Sequence, residues 1–326
     1  MPSETTVIIP HWNRAALLDR LLTTIGQQSV KPARVLVVDN GSTDRSADVA
    51  AQHGAGFMAL NENRGFAHAV NRGVAASSTK WVAVVNNDVE LHPLWLQTLL
   101  DEAERSQAWF AAPRLVQLKV PGQLDGCFDL LARSACAWRA GHGASDEGPY
   151  AEPRTIAFAP LTATLLRREL FERAGLLDER FESYLEDVEF GLRCALQSLG
   201  GVYVPQAEAY HAGSSTLGPW SPRMVQLLSR NQLLLAAKHF PTSYMWNVLV
   251  GQSLWGALAL RHKAGAAWLR GKVAGLRLFS GVRATASPAA RTALDPILRA
   301  CEREIRQLQP ASRRETYWRA YFTLAP

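Results

Sequence analysis

Residues 35–46, VLVVDNGSTDRS, decide how this chain folds. Val35, Leu36, Val37 and Val38 form an apolar run suited to one fully buried strand. Asp39 ends the run, Asn40 and Gly41 supply a turn, and a helix restarts over 42–51. The same strand-then-helix unit recurs on both sides. Upstream, Thr6-Val7-Ile8-Ile9-Pro10 is a short buried strand, and 15–28 carries Leu17, Leu18, Leu21, Leu22 and Ile25 at helical spacing. Downstream come a strand over 57–60, a helix over 65–76, a strand over 81–85 and a helix over 94–106. Such alternation predicts an α/β chain with a doubly wound, Rossmann-like, mostly parallel sheet. Ligands of these sheets sit beyond the carboxyl ends of the strands. Those ends carry Pro10-His11, Asp39-Asn40 and Asn86-Asn87-Asp88, three polar clusters at equivalent positions.

The second half is read in the same way. Residues 121–153 are rich in Gly, Pro, Ala and Asp and are expected to form a long loop region; a strand over 162–167 and a short helix over 169–174 follow. The stretch 178–218, DERFESYLEDVEFGLRCALQSLGGVYVPQAEAYHAGSSTLG, then sets two adjacent carboxylates, Glu186 and Asp187, at a helix start. After the strand Val202-Tyr203-Val204 it places a lone His211 in a Gly/Ser-rich loop, before Ala212-Gly213-Ser214-Ser215. An acid pair at a helix start can deprotonate a hydroxyl, and a histidine beyond a strand can ligate a metal or touch a phosphate.

Charge divides the chain. No acidic residue lies between Glu208 and Asp295, a stretch with ten basic ones, whereas the first 208 residues carry a net −6. From Arg223 onward the chain reads as helical, apolar and basic, which points towards an anionic surface. Nucleic acid is disfavoured, because the tail is rich in Leu, Ala and Trp and no nucleic-acid motif accompanies it. Cys127, Cys136, Cys194 and Cys301 show no C-x-x-C spacing, which argues against a zinc site or a disulfide framework. Val7-Ile8-Ile9, preceded by Glu4, is too short for a signal peptide, so a cytoplasmic location is expected.

The motifs match a known family. VIIPHWNR (7–14), VVDNGSTDRS (37–46), NENRGFAHAVNRG (61–73), VVNNDVELHPLWL (84–96), LLRRELFERAGLLDERF (165–181), YLEDVEFGLR (184–193), VYVPQAEAYHAGSS (202–215) and RNQLLLAAKHFP (230–241) occur in family order. On these segments the chain resembles glycosyltransferase family 2, the inverting enzymes of GT-A fold, and within it bacterial rhamnosyltransferase-type members. The resemblance implies a GT-A domain over 1–222, with its nucleotide-binding half over 1–110 and its acceptor-binding half over 111–222. The region 223–326 is then a helical, basic C-terminal extension.

The resemblance also implies roles for individual residues. Asp39 accepts a hydrogen bond from a uracil or thymine base, or else it caps the turn that follows. Pro10, His11 and Asn13 line the other side of the base, although Asn13 equally suits a helix cap. Asn63, Gly65 and Asn71 face the nucleotide; Arg64 and Arg72 are candidate phosphate contacts or else simply solvated arginines on the helix. Asn86, Asn87 and Asp88 stand where the family carries a D-x-D-like motif. Asp88, the one carboxylate there, is the candidate ligand of a divalent Mg or Mn ion, with His211 as a further metal or diphosphate contact. Asp187 is the base that takes the acceptor proton, and Glu186 orients the acceptor or supports Asp187. The two adjacent carboxylates are expected to raise each other's pKa, against the alternative of an acidic helix start favoured by the dipole. Arg193 is expected to pair with Glu189. Residues 161–164, Leu-Thr-Ala-Thr, stand where relatives often carry small residues beside the sugar.

The donor implied is a nucleoside-diphosphate sugar, dTDP-L-rhamnose first and a UDP-hexose second. The implied acceptor is a saccharide or a polyprenyl-diphosphate-linked glycan in cell-wall or surface-polysaccharide synthesis. Residues 244–260 are apolar but hold Asn247, Gln252 and Ser253, and their 17 residues stand at the short limit for a membrane span. Trp246, Trp255 and Trp268, with Arg261, Lys263, Arg270 and Lys272, suit an in-plane helix on the inner face of the cytoplasmic membrane. The alternative is a helix packed on the catalytic body. A non-catalytic nucleotide- or glycan-binding protein of the same fold is the rival to an enzyme. A nucleotidyltransferase is disfavoured, since His11-Trp12-Asn13-Arg14 lacks a glycine-rich loop.

Overall fold

The computed structural model describes residues 3–120, 122–145, 148–213, 220–284, 293–309 and 316–326. Ser214 and Ser215, named above, and Arg291, one of the ten basic residues between Glu208 and Asp295, lie outside the described residues. The first half follows the strand–helix alternation. Its elements are β1 (Ser3–His11), α1 (Ala15–Gly26), β2 (Pro32–Asp39), α2 (Ser46–Gln52), β3 (Gly56–Ala59), α3 (Phe66–Ala75), β4 (Trp81–Val85), β5 (Val89–Leu91) and α4 (Trp95–Arg105). Strands β1, β2, β3 and β4 run parallel. The register sets His11 beside Asp39, so the polar residues at the two strand ends lie level.

Both faces of these strands are buried because both parities of side chain are apolar. Ile8, Val82 and Val84 pack with α3 on one face, while Val7, Ile9, Ala83 and Val85 pack with α1 and α4 on the other. Gly73 on α3 is held close under Ile8, where a Cβ would collide with the isoleucine side chain.

The second half completes a mixed sheet. It contains β6 (Phe110–Gln117), β7 (Leu124–Gly126), β8 (Asp129–Leu131), β9 (Ala137–Arg139), β10 (Arg154–Ile156), β11 (Ala163–Arg167), α5 (Glu169–Arg173), α6 (Glu186–Ala195) and β12 (Gly201–His211). The main sheet has the order β10-β12-β6-β11-β4-β1-β2-β3. β12 runs parallel to β6, but β11 enters antiparallel between β4 and β6.

Two expectations are corrected here. Residues 121–153 are not simply a loop region: they hold β7, β8 and β9, and Cys127, Phe128, Leu130, Leu131 and Trp138 are buried core. Three-residue strands are too short to show a period, which is why composition suggested a loop. His211 is the last residue of an eleven-residue strand, paired with Val89 and Gln117, rather than part of the following loop.

The C-terminal helices are α7 (Pro222–His239), α8 (Met245–Arg261), α9 (Gly265–Ala284), α10 (Leu294–Leu308) and α11 (Thr316–Leu324). They pack on the body. Helix α9 lies close along α7 because Gly271 and Gly275 bring its backbone against the Gln226 and Arg230 carbonyls. Lys272 belongs to this interface and not to a basic surface: it is buried, and Nζ donates to the Ser229 carbonyl at 2.8 Å, to Gln232 at 3.1 Å and to Gln252. Burial pulls its pKa down to about 7. Among the described residues, no helix is long and apolar enough to cross a membrane.

Candidate active site

A cleft of about 650 Å³ opens over the ends of β1 and β4, bounded by the start of α6, the end of β12 and the insertion that carries β7 to β9. Pro10, His11, Asn63, Gly65, Asn86, Asn87, Asp88, Glu186, Asp187 and His211 all line it. The fold thus gathers residues from five separated segments onto one surface.

On the strand side, the His11 ring is fixed at both nitrogens. Nε2 lies 2.7 Å from Ser46 Oγ, and Nδ1 accepts from the Asn87 amide at 2.9 Å. Burial lowers the His11 pKa, although Asp39 and Asp44 pull the other way. Asn13 accepts from the Thr43 amide at 3.0 Å, and its own backbone N–H donates to Ser42 Oγ at 2.6 Å. It pins the turn after β2 and makes no cap on α1. Asp39 is turned into that turn, accepting from the Ser42 amide at 2.9 Å and from the Ser42 hydroxyl. Its neighbour Asn40 faces the cleft.

Asn71 does not line the cleft. It is buried, donates to the Leu177 carbonyl at 2.9 Å and to Glu179 at 3.1 Å, and accepts from the Leu177 amide at 2.9 Å. Its role in this geometry is to tether the segment that leads to α6. Arg64 and Arg72 border a separate, shallower pocket beside Asn61 and His68.

At the ends of β4 and β12, Asp88 Oδ1 lies 3.2 Å from His211 Nε2, while Asp125 Oδ2 lies 2.8 Å from His211 Nδ1. Burial disfavours a charged ring here, but the two carboxylates outweigh it and raise the His211 pKa to about 9. The imidazole separates the carboxylates, so these three groups do not converge on one point. Among the described residues, no three His, Cys, Asp or Glu side chains form a ready metal cluster. To hold a divalent ion, Asp88 and His211 Nε2 would first have to give up their mutual contact and the ring its proton. Asp125 on Nδ1 orients the ring as an outer carboxylate does for a metal-bound histidine.

Across the cleft, Glu186 and Asp187 open α6. The backbone before them is tightly held: Glu182, Tyr184 and Leu185 all have positive φ, at 59°, 71° and 66°. Asn231 of α7 holds this loop, donating to the carbonyls of Phe181, Ser183 and Tyr184 at 2.8, 2.9 and 2.7 Å. Arg230 adds a bond to the Phe181 carbonyl at 2.9 Å and an ion pair with Glu182. Gly65, at φ 92°, presses on the same loop, and a Cβ there would lie 2.7 Å from the Glu182 carbonyl oxygen.

Asp187 is pushed up to about 6, first by burial, then by Asp129, against the pull of Arg139. The mutual repulsion expected of adjacent carboxylates is present: burial and then Asp187 raise Glu186 well above the usual range. Asp129 of the insertion adds its charge against both carboxylates. Glu186 Oε2 is buried without a hydrogen-bond partner. Deeper in α6, Glu189 is buried and meets Arg193 at 3.0 Å, Lys238 at 2.8 Å and His239 at 2.8 Å. The expected Arg193–Glu189 pair is therefore part of a larger network.

Asp125, Asp129, Arg139 and His142 of the insertion also line the cleft, and sequence reading named none of them. Asn231 escaped notice as well, although it stands in the matched segment 230–241.

The mixed, mostly parallel sheet with helices on both faces is of GT-A type. The profile of Glycosyl transferase family 2 matches residues 6–175, and the chain belongs to that family. It is a glycosyltransferase, drawing its sugar from a nucleotide sugar. It is 30% identical over 275 residues to the N-acetylglucosaminyl-diphospho-decaprenol L-rhamnosyltransferase of Mycobacterium tuberculosis, covering 75% of this chain and 87% of that one. It is also 30% identical over 227 residues to the pre-mycofactocin glycosyltransferase of the same species, covering 68% and 45%. Among solved structures it is similar to GalNAc-T7 with UDP, GalNAc and Mn2+, at TM-score 0.62 and 13% identity, over 90% of this chain and 56% of that one. The mannosyltransferase PcManGT of Pyrobaculum calidifontis with GDP-Man and Mn2+ aligns at TM-score 0.52 and 15% identity, over 99% and 87%. These two likenesses concern the fold.

Proposed function

We infer that the chain is an inverting transferase that moves L-rhamnose from dTDP-L-rhamnose, or second a hexose from a UDP-hexose, onto a lipid-linked saccharide in cell-wall or surface-polysaccharide synthesis. The observation that carries the mechanism is Asp187, a buried carboxylate raised to about 6 at the mouth of a helix, facing the strand ends. A base with that pKa is ionised at neutral pH yet still basic enough to take a hydroxyl proton. Asp187 removes the proton of the acceptor hydroxyl as its oxygen attacks the anomeric carbon from the face opposite the nucleotide. Glu186, kept neutral, donates a hydrogen bond to the acceptor. His11, Asn40, Asn63, Asn86 and Asn87, which line the cleft, hold the nucleotide, while Asn13 and Asp39 brace the turn after β2 beside it.

Asp88, and His211 once its ring has lost its proton, would hold a divalent cation, Mg or Mn. When bound, that ion neutralises charge on the leaving diphosphate as a Lewis acid. The rhamnosyl donor and polyprenyl acceptor are supported by the named activity of the 30% identical relative.

Such an acceptor places the enzyme at the inner face of the membrane. Exposed Trp246, Leu249 and Leu260 on α8, with Leu269, Val273 and Leu276 on α9, support this. Arg261, Lys263, Arg270 and Arg277 accompany them, with no acidic residue from 209 to 294. The functional test is calorimetric titration with dTDP, UDP and GDP, each with and without Mg or Mn. Metal-dependent binding of dTDP over GDP is expected. Preference for UDP replaces rhamnose by a hexose, and binding of GDP alone overturns the donor assignment.

A further inference from the structure

The insertion that sequence reading took for a loop brings a charged pair to the base. Asp129 on β8 and Arg139 on β9 are directly opposed in the hairpin register. Arg139 donates to both oxygens of Asp129, from Nε at 3.0 Å and from Nη2 at 3.1 Å. The same Nη2 lies 3.9 Å from Asp187 Oδ2. One guanidinium edge is therefore shared between a buried structural carboxylate and the candidate base. The space for its stem is built in: Gly126, at the end of β7, lies where any Cβ would collide with Arg139 Cγ and Cδ. Arg139 and Asp129 both line the cleft.

We propose that Arg139 is a positioning residue for the transfer reaction: held by Asp129 and seated on Gly126, it orients the Asp187 carboxylate and keeps it ionised at neutral pH. The proposal rests on the reading of Asp187 as the base. The titratable and charged groups that share the cleft with Asp187 are Glu186 and Tyr184 beside it, Asp129, Arg139, Asp125 and His142 from the insertion, and Asp88 and His211 from the strand ends. Arg139 is the cation paired with Asp187, and Asp129 is the nearest opposing charge from the hairpin. A fixed cation favours the ionised carboxylate, and a fixed anion opposes it. The two partners of one salt bridge therefore act on Asp187 with opposite signs, whereas a purely structural bridge predicts the same effect from breaking either end.

The test is a carbon-13 NMR titration of aspartate-labelled full-length protein, with the Asp187 signal assigned by its loss in Asp187→Asn. In Arg139→Gln the Asp187 midpoint is expected to rise by about one pH unit or more. In Asp129→Asn it is expected to fall, as one carboxylate is lost and the guanidinium is released towards Asp187. Arg139→Lys is expected to stay near the wild type. Arg139→Gln leaves Asp129 buried without its partner, so if that variant does not fold, Asp129→Asn, a near-isosteric neutral change, decides alone. Midpoints that move in the same direction, or do not move, overturn the proposal. The titration needs no substrate, so it is separable from the reaction. Full turnover by Asp187→Asn refutes the base assignment whatever the titration shows. Loss of turnover in Asp187→Asn with unmoved midpoints refutes only the role of Arg139.

Discussion

At the residue scale, the chemistry depends on one carboxylate whose surroundings oppose its charge. Burial and Asp129 push Asp187 up to about 6, while Arg139 restrains it. A base must be deprotonated to act, so turnover is expected to rise with pH through about 6 and level off above it. Asp187→Asn keeps the shape and removes the basicity. It is expected to lower kcat by ~10²–10⁴-fold while leaving nucleotide affinity, measured by calorimetry, within a factor of a few of wild type. Unchanged kcat in this variant contradicts the assignment. The pair Glu186-Asp187 was legible in the sequence because adjacent acids at a helix start are conspicuous. Asp129 and Arg139 were not, because neither has a distinctive neighbour, and they reach Asp187 only when β8 and β9 fold against α6.

At the element scale, two interactions of α7, one with the loop before α6 and one with α6 itself, hold the site. The Asn231 amide binds three carbonyls of a loop in which Glu182, Tyr184 and Leu185 adopt positive φ. Buried polar groups left without partners cost about 1–3 kcal/mol. Asn231→Ala is expected to destabilise the fold by that order and to reduce turnover more than donor binding. Faster amide exchange confined to 181–187 would accompany it, and unchanged exchange there would count against the clamp.

The second interaction is Glu189, buried among Arg193, Lys238 and His239, which hold its carboxyl well below the usual range. A folded pKa below the unfolded one adds stability above the ordinary value of 4.5, and that stability is lost as pH falls towards the folded value. Glu189→Gln removes one partner of a buried network, at a cost of about 3–5 kcal/mol at neutral pH. It should also flatten the loss of stability below pH 4.5 in denaturant titrations. A variant whose stability matches wild type at pH 7 would show the network to be dispensable.

At the scale of the whole molecule, the acidic catalytic body and the basic tail meet through α7, whose Arg230, Asn231 and Lys238 bind the segment leading to α6, and through α10, whose Glu302 pairs with Arg133. The exposed apolar side chains of α8 and α9 are accompanied by Arg261, Lys263, Arg270 and Arg277. Replacing these four with Glu is expected to abolish sedimentation with vesicles containing phosphatidylglycerol while leaving thermal stability near wild type. Equal sedimentation of the variant would reject membrane docking through this face. Lys272 is excluded from that set because it is packed between α7 and α8, where a glutamate would unfold the interface.

By itself the sequence determined the strand–helix alternation, the polar strand ends and the order of the family motifs. Each is written in local patterns of apolar spacing, turn residues and neighbouring acids. Tertiary structure decided the rest. It entered β11 antiparallel, made a buried hairpin of 129–139 and turned Asp39 and Asn71 into braces. It also moved Lys272 inside and set Arg139 against Asp187. The physical reason is the same in each case. Charge pairing and close backbone approach depend on distances between segments far apart in the chain, and no local pattern of residues encodes those distances.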